Sequence, residues 1–392
     1  MKIDFKVQLS ERINKLPPYL FAKIDQLKKN AIDAGNDVID LGIGDPDLPT
    51  PKNIIKALQK AAEDPKNHRY PSYSGLNTFR EVAAKWYKKR FGPSFDPETE
   101  VLSLIGSKEG IANIPLAFVD PDDIVLVPDP GYPVYNSSTI FSQGKPYRMP
   151  LLRENGFLPD LDRIPEEIAK KAKIMFINYP NNPTAATCEL DFFKKVVEFA
   201  YKYNVIICHD AAYSEISFDG YKSPSLFEAE GAREVGIEFH SLSKTYNMTG
   251  WRIGFAIGNH QIVGGLGKIK TNIDSGVFQA VQYAAMEALS GDQGIVRELN
   301  SIYQSRRDII YTGLRKAGFD VPKTRSTFYV WIPCPKNYTS EKLTMHILES
   351  AAIVTTPGNG FGKSGEGYIR ISLTAGEERL REAVERLQKI SY

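Results

Sequence analysis

The chain has 392 residues, enough for two domains and a large buried interior. Its 49 Lys and Arg against 47 Asp and Glu leave a formal charge of +2, which excludes the one-sided basicity of a nucleic-acid binder and leaves small anions as partners. Cys188, Cys208 and Cys334 are far apart and in neither CxxC nor metal-finger spacing. They point to a reducing compartment, by default the cytoplasm, and no metal site is expected. No apolar run reaches the ~18 residues of a membrane span, and the N-terminus lacks a signal-like apolar stretch.

Leu16-Pro-Pro-Tyr-Leu20 and the helix-like run to about Gly35 read as an arm and one helix. Short β-rich runs then alternate with amphipathic stretches: Val101–Ile105, Asp123–Val127, Lys173–Asn178, Val205–Cys208, Gly236–Ser241 and Arg252–Ile257, with a helix over Leu190–Tyr203. The alternation predicts an α/β fold with a largely parallel sheet. After about residue 290 the pattern changes to a long helix ending near Ala317, a strand at Phe328–Ile332, a helix at Glu341–Ala351 and a strand within Glu366–Leu373. The expected division is an N-terminal arm and helix (1–40), a large domain (41–290) and a smaller α+β domain (291–392) that packs with the arm.

Chemistry-bearing residues cluster just after the strands, where open α/β sheets bind ligands. In Ser241-Leu-Ser-Lys-Thr-Tyr-Asn-Met-Thr-Gly-Trp-Arg252, Lys244 lies among hydroxyls, with an arginine eight residues on. A catalytic lysine needs a lowered pKa and a fixed carbonyl partner. Ser241, Ser243 and Arg252 are the side chains that would hold a phosphate beside it. The combination suggests a Schiff base between Lys244 and a phosphorylated aldehyde, pyridoxal 5′-phosphate. Such a ring needs an acid at its nitrogen and donors at its oxygen O3′. Asp210, ending an apolar strand, and Tyr213 three residues later supply the acid and a phenol. Asn182, in Asn178-Tyr-Pro-Asn-Asn-Pro-Thr184, can approach O3′ from the other side. The Gly106-Ser107-Lys108 turn opens a helix whose N–H groups can cradle phosphate, and Tyr132 is placed to stack on a flat ring. Arg370, in the strand Tyr-Ile-Arg-Ile-Ser, is the candidate bidentate holder of a substrate carboxylate.

Two other motifs fail on inspection. Pro357-Gly-Asn-Gly-Phe-Gly-Lys-Ser364 has proline at the first glycine of a P-loop, and Leu41-Gly-Ile-Gly-Asp-Pro-Asp47 has Asp47 at the third glycine of a dinucleotide fingerprint.

Taken in order, Leu41-Gly-Ile-Gly-Asp-Pro, Tyr70-Pro-Ser-Tyr-Ser-Gly75, Gly106-Ser-Lys, Asn181-Asn-Pro-Thr, Asp210-Ala-Ala-Tyr, Ser241-Leu-Ser-Lys and Arg370 resemble the class I/II aminotransferases of the fold-type I pyridoxal phosphate enzymes. The resemblance implies a mainly parallel, mixed seven-stranded sheet between helices, plus a smaller α+β domain. It also implies that Lys244 is the Schiff-base lysine and proton carrier, that Asp210 pairs with the ring nitrogen, and that Asn182 and Tyr213 contact O3′ while Tyr132 lies on the ring. Ser107, Lys108, Ser241, Ser243 and Arg252 would hold the phosphate, joined by Tyr70 from a neighbouring subunit, so a homodimer is implied. Arg370 would grip the α-carboxylate of amino-acid and 2-oxo-acid substrates, with Gly42 in the same pocket. No nucleic-acid or membrane partner is expected.

Pro18-Tyr-Leu-Phe21, the 241–252 segment and Lys270-Thr-Asn-Ile-Asp-Ser-Gly276 look most like the LL-diaminopimelate branch of the lysine route, with Tyr19, Lys108, Tyr132, Asn182 and Asn272 among the implied substrate contacts. Members of that branch often carry an acid soon after the dimer-crossing tyrosine, where this chain has Tyr73 and Ser74. Alanine, aspartate or aromatic aminotransferase activity, or carbon–sulfur elimination on the same scaffold, remains open. A DNA-binding regulator is disfavoured, because only about 40 residues precede the core.

Overall fold

The computed structural model describes residues 6–16 and 20–392, the side chains of residues 20–24 apart. A short strand β1 (Ile39–Asp40) precedes seven strands of one sheet: β2 (Val101–Leu104), β3 (Ile124–Asp129), β4 (Lys145–Pro150), β5 (Ala172–Asn178), β6 (Ile206–Asp210), β7 (Gly236–Ser241) and β8 (Gly254–Gly258). Their spatial order is β2-β8-β7-β6-β5-β3-β4. All neighbours are parallel except β8, which is antiparallel to both β2 and β7.

Strands covered on both faces read as unbroken apolar runs, as Ile-Met-Phe-Ile in β5 does. Alternation along the strand sends Met175 and Ile177 to one core with Ile207, Phe255 and Ile257. Ile174 and Phe176 go to the other core with Cys208, Ile237 and Phe239. Helices Asn77–Phe91, Leu190–Tyr203 and Gln279–Ser290 cover the first face through residues such as Phe79, Phe193 and Ala284. Ser107–Phe118 and His260–Ile273 cover the second through Ile111, Ile114, Ile262 and Leu266.

The register aligns the site. Asn178 pairs with Asp210, and Asp210 with Phe239, so the carboxyl ends of β5, β6 and β7 lie at one edge. Gly254 is opposite both Ser241 and Leu104, which brings the end of β2 and the start of β8 to that same edge.

A third core joins Ile39 and Leu41 to Tyr303, Ile310, Tyr329, Ile347, Ile369 and Leu380. It underlies the antiparallel sheet of β9 (Tyr329–Pro333), β11 (Thr356–Pro357) and β12 (Tyr368–Ser372), in the order β11-β12-β9. The remaining strand, β10 (Ile353–Val354), pairs in parallel with β1. Helices Gly294–Lys316, Ser340–Ala351 and Glu377–Gln388 complete this part. Helix Leu20–Asp33 joins it through Leu27 and Ala31, which pack on Leu348 and Val354. Among the described residues no helix is long and apolar enough to cross a membrane.

Strand β4 falls outside the β-rich runs of the sequence. It is the sheet edge, and its Lys-Pro-Tyr-Arg-Met-Pro stretch buries only Met149. An edge strand tolerates proline and charge, so it lacks the apolar run that marks its neighbours.

Candidate active site

The strand ends open into a cleft of about 430 Å³, lined among others by Ser107, Lys108, Tyr132, Asn182, Asp210, Tyr213, Ser241, Ser243, Lys244, Arg252 and Arg370. Eleven of the residues singled out from the sequence thus share one cavity, although they span positions 107 to 370.

Lys244 sits in the single turn Leu242–Thr245 directly after β7, where Ser241 Oγ caps the turn by accepting from Ser243 N–H at 3.3 Å. Its Nζ donates to the Gly44 carbonyl at 3.1 Å. Burial lowers the amine pKa to about 8; Asp45 opposes the shift, and Arg252 and Arg370 add to it. An amine poised near neutral pH can serve as nucleophile and proton carrier. Gly44 is required by packing, since a Cβ there would meet the Tyr329 hydroxyl at 2.0 Å.

Asp210 ends β6 fully inside the protein, where burial raises its pKa. Tyr135 donates to Oδ2 at 2.8 Å and Ala212 N–H to Oδ1 at 3.3 Å, and both favour the charged carboxylate. Tyr135, absent from the sequence-derived candidates, lies in helix Val134–Phe141 and stacks on Phe176 at 5.1 Å. The tyrosine three residues before it, Tyr132, meets it edge-on at 5.9 Å. Tyr213 shares a hydroxyl contact of 3.1 Å with Tyr329, a cleft residue also absent from those candidates.

Arg370 is 2% exposed and lies between the rings of Tyr329 and Phe361, at 4.2 and 4.8 Å. Nη1 donates to Asn182 Oδ1 and Nη2 to the Gly42 carbonyl, each at 2.8 Å. Its Nε has no partner, and both acceptors it does have are neutral. A buried guanidinium without a carboxylate is costly, and an incoming anion relieves that cost. Burial accordingly lowers its pKa, with Tyr329 and Tyr213 opposing.

The donor set at the other end suits a phosphate. Ser243 Oγ is buried without a partner. The Ser107 and Lys108 N–H groups open the helix Ser107–Phe118. Arg252 has φ 55°, a left-handed conformation rare outside glycine, and donates to the Thr249 carbonyl at 2.9 Å. Its guanidinium lies so close over Gly106 that a Cβ there would meet Nη2 at 2.3 Å. Arginine, two serines, helix N–H groups, a poised amine and a buried acid together fit the phosphorylated aldehyde suggested by the sequence.

Four residues singled out from the sequence are not in this cluster. Tyr70 is 88% exposed, and Asn272 is exposed with its side chain turned back to the Lys268 carbonyl at 2.8 Å. Tyr19 lies outside the described residues. Gly42 stands one step behind the cleft, where its carbonyl holds Arg370, while Ile43 and Gly44 form the wall. Asp47, which spoils the dinucleotide pattern, takes a bidentate ion pair from buried Arg306 at 2.6 and 2.8 Å and so ties this loop to helix Gly294–Lys316.

The chain is similar over nearly its whole length to proteins of known activity. It is 59% identical to the LL-diaminopimelate aminotransferase of Syntrophobacter fumaroxidans, covering 98% of this chain and 99% of that protein. It is 55% identical to the one from Moorella thermoacetica, covering 98% of each. The substrate-bound BacF structure from Bacillus subtilis superposes with a TM-score of 0.94 at 40% identity, covering 98% of each chain. Residues 36–387 match the family described as aminotransferase class I and II, and the chain belongs to that family.

Proposed function

We propose that the protein is a pyridoxal 5′-phosphate-dependent LL-diaminopimelate aminotransferase, moving an amino group between LL-2,6-diaminopimelate and 2-oxoglutarate. The observation that carries the chemistry is the convergence of poised Lys244, buried Asp210 and carboxylate-deficient Arg370 in one cleft. Whole-length similarity above half identity to enzymes of that name supports the substrate.

When bound, pyridoxal phosphate supplies an aldehyde for the lysine amine and a ring that takes up the electron pair left by the departing α-proton. Ser107, Lys108, Ser241, Ser243 and Arg252 hold the phosphate end. Asp210, whose charged form Tyr135 and Ala212 favour against the effect of burial, would hold a proton at the ring nitrogen. Arg370 holds Asn182 by its Oδ1, leaving the Asn182 amide N–H groups to donate to the ring oxygen O3′, which the Tyr213 hydroxyl would also contact. Tyr132 covers the ring. Arg370, held from behind by the Gly42 carbonyl, would bind the substrate α-carboxylate beside the Ile43–Gly44 wall, at the end of the cleft that also holds Lys244. Lys244 Nζ, freed by the incoming amine, carries the α-proton, and the electrostatic frame is set before the reaction begins.

The proposed active form is a homodimer in the cytoplasm, with Tyr70 completing the partner's phosphate site. Tyr70, Tyr73, Ile273, Phe278 and Tyr283 are all at least 39% exposed, and Gln279 Nε2 holds the Arg69 carbonyl at 3.2 Å, which brings the Tyr70 segment beside the start of helix Gln279–Ser290; exposed apolar side chains there suit burial against a second subunit. The 1–40, 41–290 and 291–392 division remains our domain reading, supported by separate cores beneath the two main sheets.

The test is product analysis. Purified protein given LL-diaminopimelate and 2-oxoglutarate forms glutamate. Pyruvate and ammonia from cystathionine, without glutamate, would identify a lyase instead.

A further inference from the structure

We infer that Asp25 receives the distal ammonium of the diamino dicarboxylate donor and sets donor preference, an assignment that rests on the substrate reading above. The charged lining of the cleft is uneven: among the described lining residues, Lys108, Lys244, Arg252 and Arg370 stand against two acids, Asp25 and Asp210. Asp210 is buried at the end of β6 and engaged by Tyr135 at 2.8 Å. Asp25 is exposed on helix Leu20–Asp33, and no ion pair holds it among the described residues. A substrate with two carboxylates and two ammonium groups, gripped at one end by Arg370, carries a second ammonium that needs an anion at the far side. Among the described lining residues, Asp25 is the exposed carboxylate outside any ion pair and so able to supply it.

The helix bearing Asp25 is keyed to the carboxylate grip. One turn after Asp25, and on the same face, Lys28 Nζ pairs with Asp40 Oδ2 at 2.7 Å. The other oxygen of Asp40 accepts the Gly42 N–H at 2.8 Å, and the Gly42 carbonyl accepts from Arg370 Nη2 at 2.8 Å. Lys28, Asp40 and Gly42 therefore form a continuous polar chain from the Asp25 helix to Arg370. The opposite side of the helix is fixed by Leu27 and Ala31 on Leu348 and Val354. Such a chain sets the separation between the two anchoring points and so measures substrate length.

The experiment compares kcat/KM for LL-diaminopimelate with that for L-2-aminopimelate, which has the same carbon chain and both carboxylates but no distal ammonium, using 2-oxoglutarate as acceptor. In Asp25→Asn the preference ratio falls at least about tenfold, and in Asp25→Lys it falls further, because a cation there repels the second ammonium. Asp25 is exposed, so both substitutions leave the core packing intact. A wild type that uses other donors but not LL-diaminopimelate overturns the substrate reading and this assignment with it. A wild type that uses LL-diaminopimelate, with an unchanged ratio in both variants, overturns the role of Asp25 alone.

Discussion

Arg370 Nη1 donates to Asn182 Oδ1 at 2.8 Å, joining the proposed substrate-carboxylate grip to the proposed cofactor-ring contact across 188 residues of sequence. Because the oxygen of Asn182 is taken, its amide nitrogen is the end left for the ring oxygen. The two residues therefore act as a unit. Arg370→Lys, which loses the planar fork, lowers kcat/KM for amino donors by about two orders of magnitude, about 2.7 kcal/mol. In a double-mutant cycle with Asn182→Ala, the combined loss is smaller than the sum of the single losses. Strict additivity would show that the contact carries no coupling.

Tyr135 acts through Asp210. Burial raises the Asp210 pKa and the Tyr135 hydrogen bond lowers it, so Tyr135→Phe raises it further. The acidic limb of the kcat profile shifts to higher pH in that variant, while Asp210→Asn loses about three orders of magnitude at every pH, since no charged acid remains to hold the ring proton. An unshifted limb would detach Tyr135 from the titration.

A lysine amine with a pKa of about 8 is mainly protonated at neutral pH, and only its neutral form attacks an aldehyde. The rate at which cofactor-free protein captures pyridoxal phosphate rises about tenfold between pH 7 and 9 and then levels. Stopped-flow absorbance follows this directly. A rate still climbing with slope one at pH 10 would mean an ordinary, solvated lysine.

In the middle of β7, Glu238 is 0% exposed and takes hydrogen bonds from His209 at 2.6 Å, Tyr87 at 2.5 Å, Ser225 at 3.0 Å and Leu226 N–H at 3.0 Å. Burial alone would raise its pKa, yet His209 and His240 outweigh it and hold the carboxyl well below the usual range. A depressed carboxylate contributes stability that is present above the unfolded pKa of about 4.3 and is lost as pH falls below it toward the folded value. Glu238→Gln costs about 3 kcal/mol at pH 7 by urea unfolding, and the gap to wild type narrows under strong acid. Equal destabilisation at pH 7 and pH 3 would contradict this.

If Tyr70 serves the partner's site, Tyr70→Ala and Lys244→Ala subunits complement one another. Each mixed dimer regains one intact site, so an equimolar refolded mixture recovers about a quarter of wild-type activity by statistical pairing. Recovery of none would place Tyr70 outside the partner's site.

Residues at strand ends were the most legible in sequence. Lys244, Asp210 and Asn182 follow apolar runs that announce β7, β6 and β5, and the edge where such strands end is fixed by topology. Tyr135 was not legible, because a tyrosine within the helix Val134–Phe141 reads as packing until the fold sets its hydroxyl on Asp210. Tyr329 and Asp25 reach the cleft from elements distant in sequence, and nothing local marks them. Strand β4 carried edge chemistry in place of core chemistry.

The most direct measurement is borohydride reduction of the yellow holoenzyme followed by peptide mass spectrometry, with and without prior exposure to LL-diaminopimelate in the absence of 2-oxo acid. The account predicts a reduced pyridoxyl adduct on Lys244 in the unexposed sample, and its loss from Lys244 after exposure, because the cofactor leaves the lysine as it takes the amino group. An adduct on another lysine, or one on Lys244 that the donor leaves untouched, would contradict it.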